Sequence, residues 1–358
     1  MTPQVVSGTR RRAQQLGGDA SVVKGPLKGY HHETYVLPMP GGTRIVKLRE
    51  PRAEILWFDR RCFQSEEELL RALQGQISRI PEVLDVEGMG LQGFIEGRTV
   101  GQGFLRNGRV PDALLDQLLE LFREMVRITP EMLGVKRRCM DKDRAEDGDS
   151  NAFLERLIAF SEEQVFERNH ERFGGLFAEL GLSGESFARL RKHVSGLQER
   201  PFCLLHGDLH RKNLIVDGQG QLWTIDWELA MLGDPLYDLA THLYLMRFPA
   251  DQHRRVIRDW CRVVEHIRPG SSRGWEHDLP LILDFKRAQS VFTDVIRVSE
   301  SLLRRDGKTL NWTGLPLAAL KLQRVLVNAA EPLGLSETPS HSRIMGALVH
   351  WRPRAEFA

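Results

Sequence analysis

The sequence lacks the features that mark membrane proteins and nucleic-acid-binding proteins. No segment approaches the run of roughly 18 apolar residues that a membrane-spanning helix requires. Basic and acidic residues number 50 and 48, which leaves a net charge of only +2. Such a balance provides no excess of positive charge for a nucleic acid or an anionic membrane surface. We therefore expect neither of these among the partners of the protein.

Cysteine is also scarce, and its four positions, at residues 62, 139, 203 and 261, are scattered along the chain. They form no C-x-x-C pair and have no histidine at a zinc-ligand spacing, which disfavours a zinc site. The arginines at 10–12 precede no hydrophobic segment, and this excludes a twin-arginine export signal. These features together predict a cytoplasmic protein with reduced cysteines.

The most informative residues lie in one stretch, residues 202–239. It begins with four uncharged residues that are typical of a buried strand, which would deliver His206 and Asp208 to a loop. Asn213 follows Asp208 by five positions. Two strand-like runs separated by the turn sequence Asp-Gly-Gln-Gly then predict a hairpin that ends at Asp226. Because a hairpin returns close to its start, we expect Asp226 to lie near Asp208.

The spacing of these polar residues suits phosphoryl transfer. Asp208 and Asn213 have the D-x-x-x-x-N spacing of a kinase catalytic loop. The reaction requires a carboxylate to orient the attacking hydroxyl group and oxygen ligands to hold Mg²⁺ against the phosphates of ATP. Asp208 is the candidate for the first task, and Asn213 and Asp226 are the candidates for the second. Alternatively, both residues have only structural roles, in which Asp208 caps a turn and Asp226 ends a strand. This alternative requires that the D-x-x-x-x-N spacing, the loop after a strand and the returning hairpin occur together by chance.

Three segments resemble the aminoglycoside phosphotransferase and choline kinase-like family of small-molecule kinases: HGDLHRKN at 206–213, IDWE at 225–228 and GDPLYDLA at 233–240. The resemblance implies an α+β, bilobal protein-kinase-like fold. Its small lobe would contain an antiparallel sheet and one main helix, and its larger lobe would be mostly helical. His210 stands where protein kinases carry a lysine, which favours a small-molecule substrate. The sequence departs from the family pattern where Arg-Lys replaces the Pro-Gly that often precedes the asparagine.

The resemblance also assigns supporting or substrate-side positions to His206, His210, Glu228 and Asp238. We expect Asp238 to buttress the loop from a helix that begins near Pro235. Glu228 comes two residues after the candidate metal ligand, and we expect it to point back toward the site, where it would contact substrate or metal.

Strand-like runs, glycine turns and helical patterns divide the chain into three parts. Residues 1–20 form a polar N-terminal segment without chemically informative groups. Residues 21–97 are the predicted small nucleotide-binding lobe, with a three-stranded meander, a helix, two more strands and a hinge at about 94–97. Residues 98–358 are the predicted large catalytic and substrate-binding lobe, which includes a charged segment at 134–151.

The small lobe offers candidates for binding the phosphates of ATP. A kinase covers these phosphates with a glycine-containing loop, and by the resemblance Gly29 and Tyr30 belong to it, although the full G-x-G-x-x-G is missing. Lys47 on the third strand is comparable to the kinase lysine that pairs with the α and β phosphates. Glu66 lies on the apolar face of the following helix, and we predict that it holds Lys47.

The hinge is the candidate site for the nucleotide base. The resemblance implies that backbone groups of Phe94, Ile95 and Glu96 meet the adenine edge of ATP. Because backbone groups make these contacts, the side chains do not distinguish the bases, and GTP is not excluded.

The sequence constrains the acceptor less than the reaction. Aminoglycosides are polycationic, so their pocket should present clustered carboxylates. Acidic residues in the last 110 positions instead alternate with arginines and lysines. The sequence therefore allows a neutral or partly anionic hydroxylated molecule as the acceptor, as well as an antibiotic.

We hypothesise an ATP- and Mg²⁺-dependent O-phosphotransferase that phosphorylates a hydroxyl group of a small molecule. The reaction would either inactivate an antibiotic or serve metabolism, and the enzyme would be a monomer or a homodimer. One alternative is a pseudokinase-like nucleotide-binding module without transfer activity, which the presence of every catalytic side chain argues against. Another is a protein kinase, which His210 and the absence of D-F-G and A-P-E disfavour.

Overall fold

The protein is described by a computed structural model that covers residues 7–18, 20–27, 32–39, 44–52, 57–103, 108–304, 307 and 309–351. The first half of the fold is a five-stranded antiparallel sheet with the strand order β1-β2-β3-β5-β4. Its strands are β1 Lys24–Leu27, β2 His32–Pro38, β3 Ile45–Pro51, β4 Val83–Val86 and β5 Met89–Gly93. The predicted meander and the two later strands thus form one sheet, which we call the small lobe together with α1 and α2.

Helix α1, Gly8–Gly17, packs on the outer face of this sheet. The hydroxyl group of Ser7 caps its first turn by accepting a hydrogen bond from the backbone N–H of Arg10. Ala13 and Leu16 are buried in a small apolar cluster with side chains of β2, β3 and β5. The polar N-terminal segment therefore contributes apolar side chains to the small-lobe core.

Helix α2, Glu66–Leu73, packs its apolar face toward the larger part of the molecule. Ser65 caps the helix, since its hydroxyl group accepts a hydrogen bond from the backbone N–H of Glu68 at 3.2 Å. Leu70 and Leu73 are fully buried, and Glu66 lies on the same face with 7% of its surface exposed. The predicted face of the helix is therefore correct, and it places a carboxylate inside the protein.

The chain leaves the sheet at residues 94–97 and enters a second, three-stranded sheet with the order β6-β8-β9. These strands are β6 Arg98–Thr99, β8 Leu214–Val216 and β9 Leu222–Thr224. Gly97 lies so close to the backbone of Val216 that an added Cβ atom would collide with its carbonyl oxygen. A glycine is therefore required where the hinge meets the predicted hairpin.

The rest of the described chain, which we call the large lobe, is mostly helical around a two-stranded sheet of β7 Cys203–Leu205 and β10 Met231–Gly233. Its helices are α3 Val100–Gly103, α4 Asp112–Arg127, α5 Ser150–Phe160, α6 His170–Glu179, α7 Gly184–His193, α8 Pro235–Met246, α9 Ala250–Ile267, α10 Trp275–Ser301, α11 Leu315–Asn328 and α12 His341–Trp351. The predicted combination of an antiparallel sheet with a larger helical part is confirmed. None of the helices in the described ranges has both the length and the apolar composition of a membrane span.

A buried ion pair network fixes the start of α8. The guanidinium group of Arg200 is fully buried and donates to both carboxylate oxygens of Asp234, at 2.8 Å and 2.7 Å, and to Asp278 at 2.5 Å. Asp234 is also the N-cap of α8, because its carboxylate accepts the backbone N–H of Leu236. One arginine therefore compensates two buried carboxylates.

Replacement of Arg200 with methionine is expected to lower the free energy of unfolding by about 3–5 kcal/mol, because two buried carboxylates lose the arginine that they share. The matched control is Arg123→Met, since Arg123 pairs with Glu120 on an exposed helix surface. The control should change stability by no more than about 0.5 kcal/mol. Urea unfolding followed by circular dichroism measures both, and equal effects of the two variants would contradict the role of the network.

Candidate active site

The loop at residues 206–213, which we call the HGD loop, leaves the end of β7 and is held from below by α8. The carboxylate of Asp238 accepts the backbone N–H groups of His206 at 3.0 Å and Gly207 at 2.8 Å. Asp238 is 1% exposed, and burial raises its pKa to about 6. The sequence placed Asp238 beneath the loop, and the two hydrogen bonds supply that support.

His206 connects the HGD loop to the end of the hairpin. Its Nδ1 atom accepts the backbone N–H of Asp208 at 3.2 Å, and its Nε2 atom lies 3.1 Å from the carbonyl oxygen of Ile225. Burial lowers the pKa of His206 to about 4, so the ring is neutral and its Nε2–H donates to that carbonyl group. The imidazole therefore positions the loop and the residue before Asp226 relative to one another.

Asp208, Asn213 and His210 form a local cluster within the loop. The amide nitrogen of Asn213 donates to the carbonyl oxygen of Asp208 at 3.0 Å and to its carboxylate at 3.1 Å. The Nε2 atom of His210 lies 3.7 Å from the same carboxylate. His210 Nδ1 accepts backbone N–H groups of the loop, which leaves Nε2 as the protonated nitrogen facing Asp208.

Asp226 ends the hairpin in a left-handed backbone conformation, with φ of 69° and ψ of 61°. A residue with a side chain pays a conformational cost there, and such residues are concentrated at functional sites. Burial alone would raise the pKa of its carboxyl group, but the positive charges of Arg49 and Lys47 lower that pKa well below its ordinary value. Asp226 is therefore an anion that two cations of β3 face.

The structure corrects the predicted partner of Glu66. Its carboxylate forms an ion pair with Arg49 at 2.5 Å, whereas Lys47 forms no direct ion pair in the described part of the chain. The second guanidinium nitrogen of Arg49 donates to Asp226 at 2.8 Å. Alternate residues of a strand share one face, so Lys47 and Arg49 both point toward the site, and the longer planar group makes the contacts. The sequence analysis missed Arg49 because it matched the strand lysine alone.

Lys47 nevertheless belongs to the same charged region. Burial and the neighbouring charge of Arg49 lower its pKa to about 8, and the carboxylates of Glu66 and Asp226 oppose that shift. Burial also disfavours the charge on Arg49, but Glu66, Asp226 and Glu228 outweigh it and raise the pKa of Arg49. The guanidinium group therefore stays fully charged.

Glu228 and His32 complete the surroundings of Arg49. The carboxylate of Glu228, with 5% of its side chain exposed, lies 3.6 Å from the guanidinium group and 3.5 Å from His32 Nδ1. His32 Nδ1 also lies 3.0 Å from Arg49 Nη2. Burial and the charge of Arg49 lower the pKa of His32 to about 4, so the ring is neutral and Nδ1 accepts the guanidinium hydrogen. Glu228 points back toward the site, as predicted.

A second set of side chains, from α10 and from the segment after β3, surrounds Asp208. Burial raises the pKa of Asp208 well above its ordinary value, and the charges of Asp226 and Asp59 add to this shift. Lys286 on α10 counteracts it. Lys286 is 6% exposed and bonds Tyr237 at 3.2 Å and Gln289 at 2.6 Å. The sequence analysis noted Lys286 only as a basic residue of the last helices, because its position in space depends on packing 78 residues away.

The oxygen atoms near Asp208 fit a magnesium ion. No donor within the described ranges bonds Asn213 Oδ1 or Asp226 Oδ2, so each site residue keeps one oxygen for a metal. The described residues contain no group of three or more histidine, cysteine, aspartate and glutamate side chains that would form a complete metal site. Mg²⁺ is commonly bound by one or two protein ligands, with phosphate and water oxygens as the others.

Two backbone N–H groups of the hinge have no backbone partner in the described part of the chain. The backbone N–H of Phe94 donates to Ile45 at 2.9 Å, which joins the hinge to β3. Among the described residues, no backbone group bonds the N–H of Ile95 or Glu96. Phe94 and Ile95 are half-buried, and Glu96 is exposed. Gly29 and Tyr30, the predicted phosphate-loop residues, lie outside the described residues.

Comparisons with known proteins agree with this arrangement. Residues 22–275, more than half of the chain, match the phosphotransferase enzyme family. Similar solved structures include a choline kinase from Streptococcus pneumoniae, with 14% identity over 90% of this chain and 99% of that chain and a TM-score of 0.52. A choline/ethanolamine kinase family protein from Mesorhizobium loti has 17% identity over 95% and 97%, with a TM-score of 0.51.

A third similar structure is the complex of gentamicin with APH(2″)-IIa, with 15% identity over 95% of this chain and 99% of that chain and a TM-score of 0.52. No curated protein sequence matches the chain. These likenesses confirm the predicted bilobal kinase fold.

Replacement of Gly207 with alanine is expected to disrupt the HGD loop. Gly207 has φ of +77°, and an added Cβ atom would lie 2.6 Å from the carbonyl oxygen of Leu229. Gly220 in the hairpin turn has the same φ but open space around it, so Gly220→Ala is the matched control. The control should lower stability by about 1–2 kcal/mol through backbone strain alone. Gly207→Ala should cost more in a urea titration, and a smaller cost would contradict the close packing.

Proposed function

Because this chain belongs to the phosphotransferase enzyme family, we propose that it transfers the γ-phosphoryl group of ATP to a hydroxyl group of a small molecule. One observation carries the proposal: Arg49 joins Glu66 to Asp226 beside the HGD loop. The proposal is supported by a cation in contact with one candidate metal ligand, Asp226, whose charge in turn acts on the candidate base, Asp208. A site that only supported the fold would not need an anion held in a left-handed backbone conformation.

In this reaction Asp208 accepts the proton of the acceptor hydroxyl group. The hydroxyl oxygen forms a bond to the γ phosphorus as the bond between that phosphorus and the bridging oxygen of ADP breaks, and ADP leaves with the electron pair. Asn213 fixes the orientation of the Asp208 carboxylate through its amide hydrogen bond at 3.1 Å. His210 Nε2 lies 3.7 Å from the same carboxylate, and the positive charge of Lys286 stabilises its ionised form.

The phosphates of ATP require positive charge, and Arg49 is the best placed group to provide it. Glu66 holds one side of its guanidinium group, and the planar fork leaves other N–H groups for a phosphate. Lys47, on the same face of β3, adds a second charge farther from the acidic pair. The role first assigned to Lys47 is thus proposed for Arg49, with Lys47 as an auxiliary group.

Two further contacts belong to the proposal. Asn213 and Asp226 would hold Mg²⁺, which when bound neutralises charge on the phosphates. The N–H groups of Ile95 and Glu96, which have no backbone partner among the described residues, would contact the adenine edge. These backbone contacts do not exclude GTP. Gly29 and Tyr30 remain proposed phosphate-loop residues.

The similar structures leave the acceptor open. One is a choline kinase and another binds gentamicin, and these two ligands differ in size and in the number of their charges. At 14–17% identity their likeness extends to the fold alone. Inactivation of an antibiotic and phosphorylation of a metabolite are both compatible with the proposed chemistry.

Replacement of Asp208 with asparagine should reduce kcat by about a thousandfold or more, because the acceptor hydroxyl group loses its base and orienting group. Binding of Mg-ATP should persist, since Asp208 is not among the proposed nucleotide ligands. Phosphorus NMR over a panel of antibiotics, sugars, nucleosides and amino alcohols measures transfer, and thermal shift measures binding. Stabilisation of the wild-type protein by Mg-ATP without any product would instead favour a nucleotide-binding module.

The assignment of Arg49 is tested by comparing Arg49→Lys with Lys47→Met. Arg49→Lys keeps the charge but not the fork, so kcat/KM should fall by about 10²- to 10³-fold while the protein stays folded. Lys47→Met should reduce kcat/KM by about tenfold or less. Steady-state kinetics with varied ATP measures both variants. A larger loss in Lys47→Met than in Arg49→Lys would restore the sequence-based assignment.

A further inference from the structure

A cavity of about 820 Å³ lies between the segment that follows β3 and the helices α5, α6 and α10. Trp57 and Arg61 come from that segment, and Arg156 comes from α5. The charged segment 134–151, whose role the sequence did not determine, also contributes to its wall through Arg138 and Asp143. The volume is within the range of small-molecule pockets.

The cavity is rich in guanidinium groups. Six arginines line it against four carboxylates, which are Asp59, Asp143, Glu163 and Glu300. The arginines are Arg60, Arg61, Arg138, Arg156, Arg168 and Arg172. The protein as a whole is nearly neutral, so the excess of positive charge on this wall could not be inferred from the overall composition.

Most of these arginines are not neutralised by the protein. Arg172 pairs with Glu300 at 2.9 Å, but none of the other five forms an ion pair with a carboxylate of the described residues. Arg61 stacks on the ring of Trp57, with its guanidinium carbon 4.4 Å from the ring centroid. Its Nε atom is buried and has no hydrogen-bond partner within the described ranges. A buried donor without a partner is costly unless a ligand satisfies it.

The cavity adjoins the proposed reaction centre. Asp59 lines it and accepts a hydrogen bond from Gln289 at 2.8 Å. Gln289 in turn accepts a hydrogen bond from Lys286, whose charge acts on Asp208. One side chain, Gln289, therefore lies between Asp59 of the cavity wall and Lys286. Asp59, a residue of the cavity wall, also acts on Asp208 through its charge.

The backbone at the far wall is also unusual. Residues Ser161–Glu167 form a π-helical turn that continues α5, and Glu163 and Gln164 of this turn line the cavity. π-helical turns are rare and are frequently found at functional sites, because they displace side chains from a regular helix. The turn brings the next arginine, Arg168, to the same wall.

We propose that this cavity binds the acceptor and that the acceptor is an anion, a hydroxylated molecule that carries a carboxylate or phosphate group. The inference rests on the proposed phosphotransferase function. Guanidinium groups bind carboxylate and phosphate oxygens through paired N–H bonds, whereas they repel the amino groups of polycationic acceptors. The three carboxylates not paired with arginine lower the net charge of the wall but do not reverse it. Asp59, nearest to the base, is placed to contact the hydroxyl end.

The test uses matched probes that differ in one anionic group: D-gluconate with D-sorbitol, and glycerol 3-phosphate with glycerol. Binding is measured by titration calorimetry at constant ionic strength, with Mg²⁺ and a non-hydrolysable ATP analogue present. The anionic member of at least one pair should bind more tightly than its neutral partner by about tenfold or more. Arg61→Gln and Arg156→Gln should each weaken that binding about tenfold and leave the affinity for the nucleotide analogue unchanged.

Arg258→Gln is the matched control, because Arg258 is an exposed arginine of α9 outside the cavity. It should behave as wild type. Absence of anion binding at about 10 mM, roughly ten times the upper end of usual KM values, would overturn the inference, as would equal binding of both members of each pair. Equal affinities in the cavity variants and the wild type would also overturn it.

A parallel transfer assay separates this inference from the proposed function. Phosphorus NMR with Mg-ATP and the same probes detects any phosphorylated product. Preferential phosphorylation of neutral or cationic acceptors would overturn the anionic specificity and leave the phosphotransferase function standing. Anion binding that depends on Arg61 and Arg156, without transfer to any acceptor, would support the anion site and count against the proposed function.

Discussion

The contact of Arg49 with both Glu66 and Asp226 holds the two lobes in register. Arg49 lies on a strand of the small-lobe sheet, Glu66 begins the small-lobe helix α2, and Asp226 ends the large-lobe hairpin. Glu66 also accepts the backbone N–H of Trp227 at 2.8 Å, which adds a second bond across the same junction. Because Arg49 is the shared partner of both carboxylates, its removal leaves two largely buried anions without that cation.

Local patterns in the sequence were sufficient for the parts of the site that one segment builds. The HGD loop and the hairpin occupy 21 consecutive residues, so the proximity of Asp208, Asn213 and Asp226 followed from strand and turn patterns. The cap at Ser65 and the buried face of α2 followed from helix periodicity. The family match at residues 22–275 agrees with the resemblance that these motifs carried.

Contacts between distant segments were not predictable in the same way. The side chains of Lys47 and Arg49 point in the same direction from β3. Which of them forms an ion pair with Glu66 depends on the position of Glu66 in the folded protein. The charge of Lys286 acts on Asp208 because α10 packs against α8, and no spacing in the sequence predicts that proximity. The cytoplasmic location and the choice of monomer or homodimer stay predictions, because neither depends on the internal geometry of one chain.

The bond between Arg49 and Asp226 also links the angle between the lobes to the binding of ligands at the Asp226 carboxylate. The lobes are connected by the peptide chain at residues 94–97 and, on the side of the HGD loop, by contacts that include this ion pair and the bond from Trp227 to Glu66. Gly97 packs tightly against the hairpin backbone, so rotation of one lobe against the other must occur in the few residues before it. Any ligand that competes for the Asp226 carboxylate therefore weakens one of these contacts and widens the range of lobe angles. By linkage, a restraint that keeps the lobes together must lower the affinity for that ligand by the same factor.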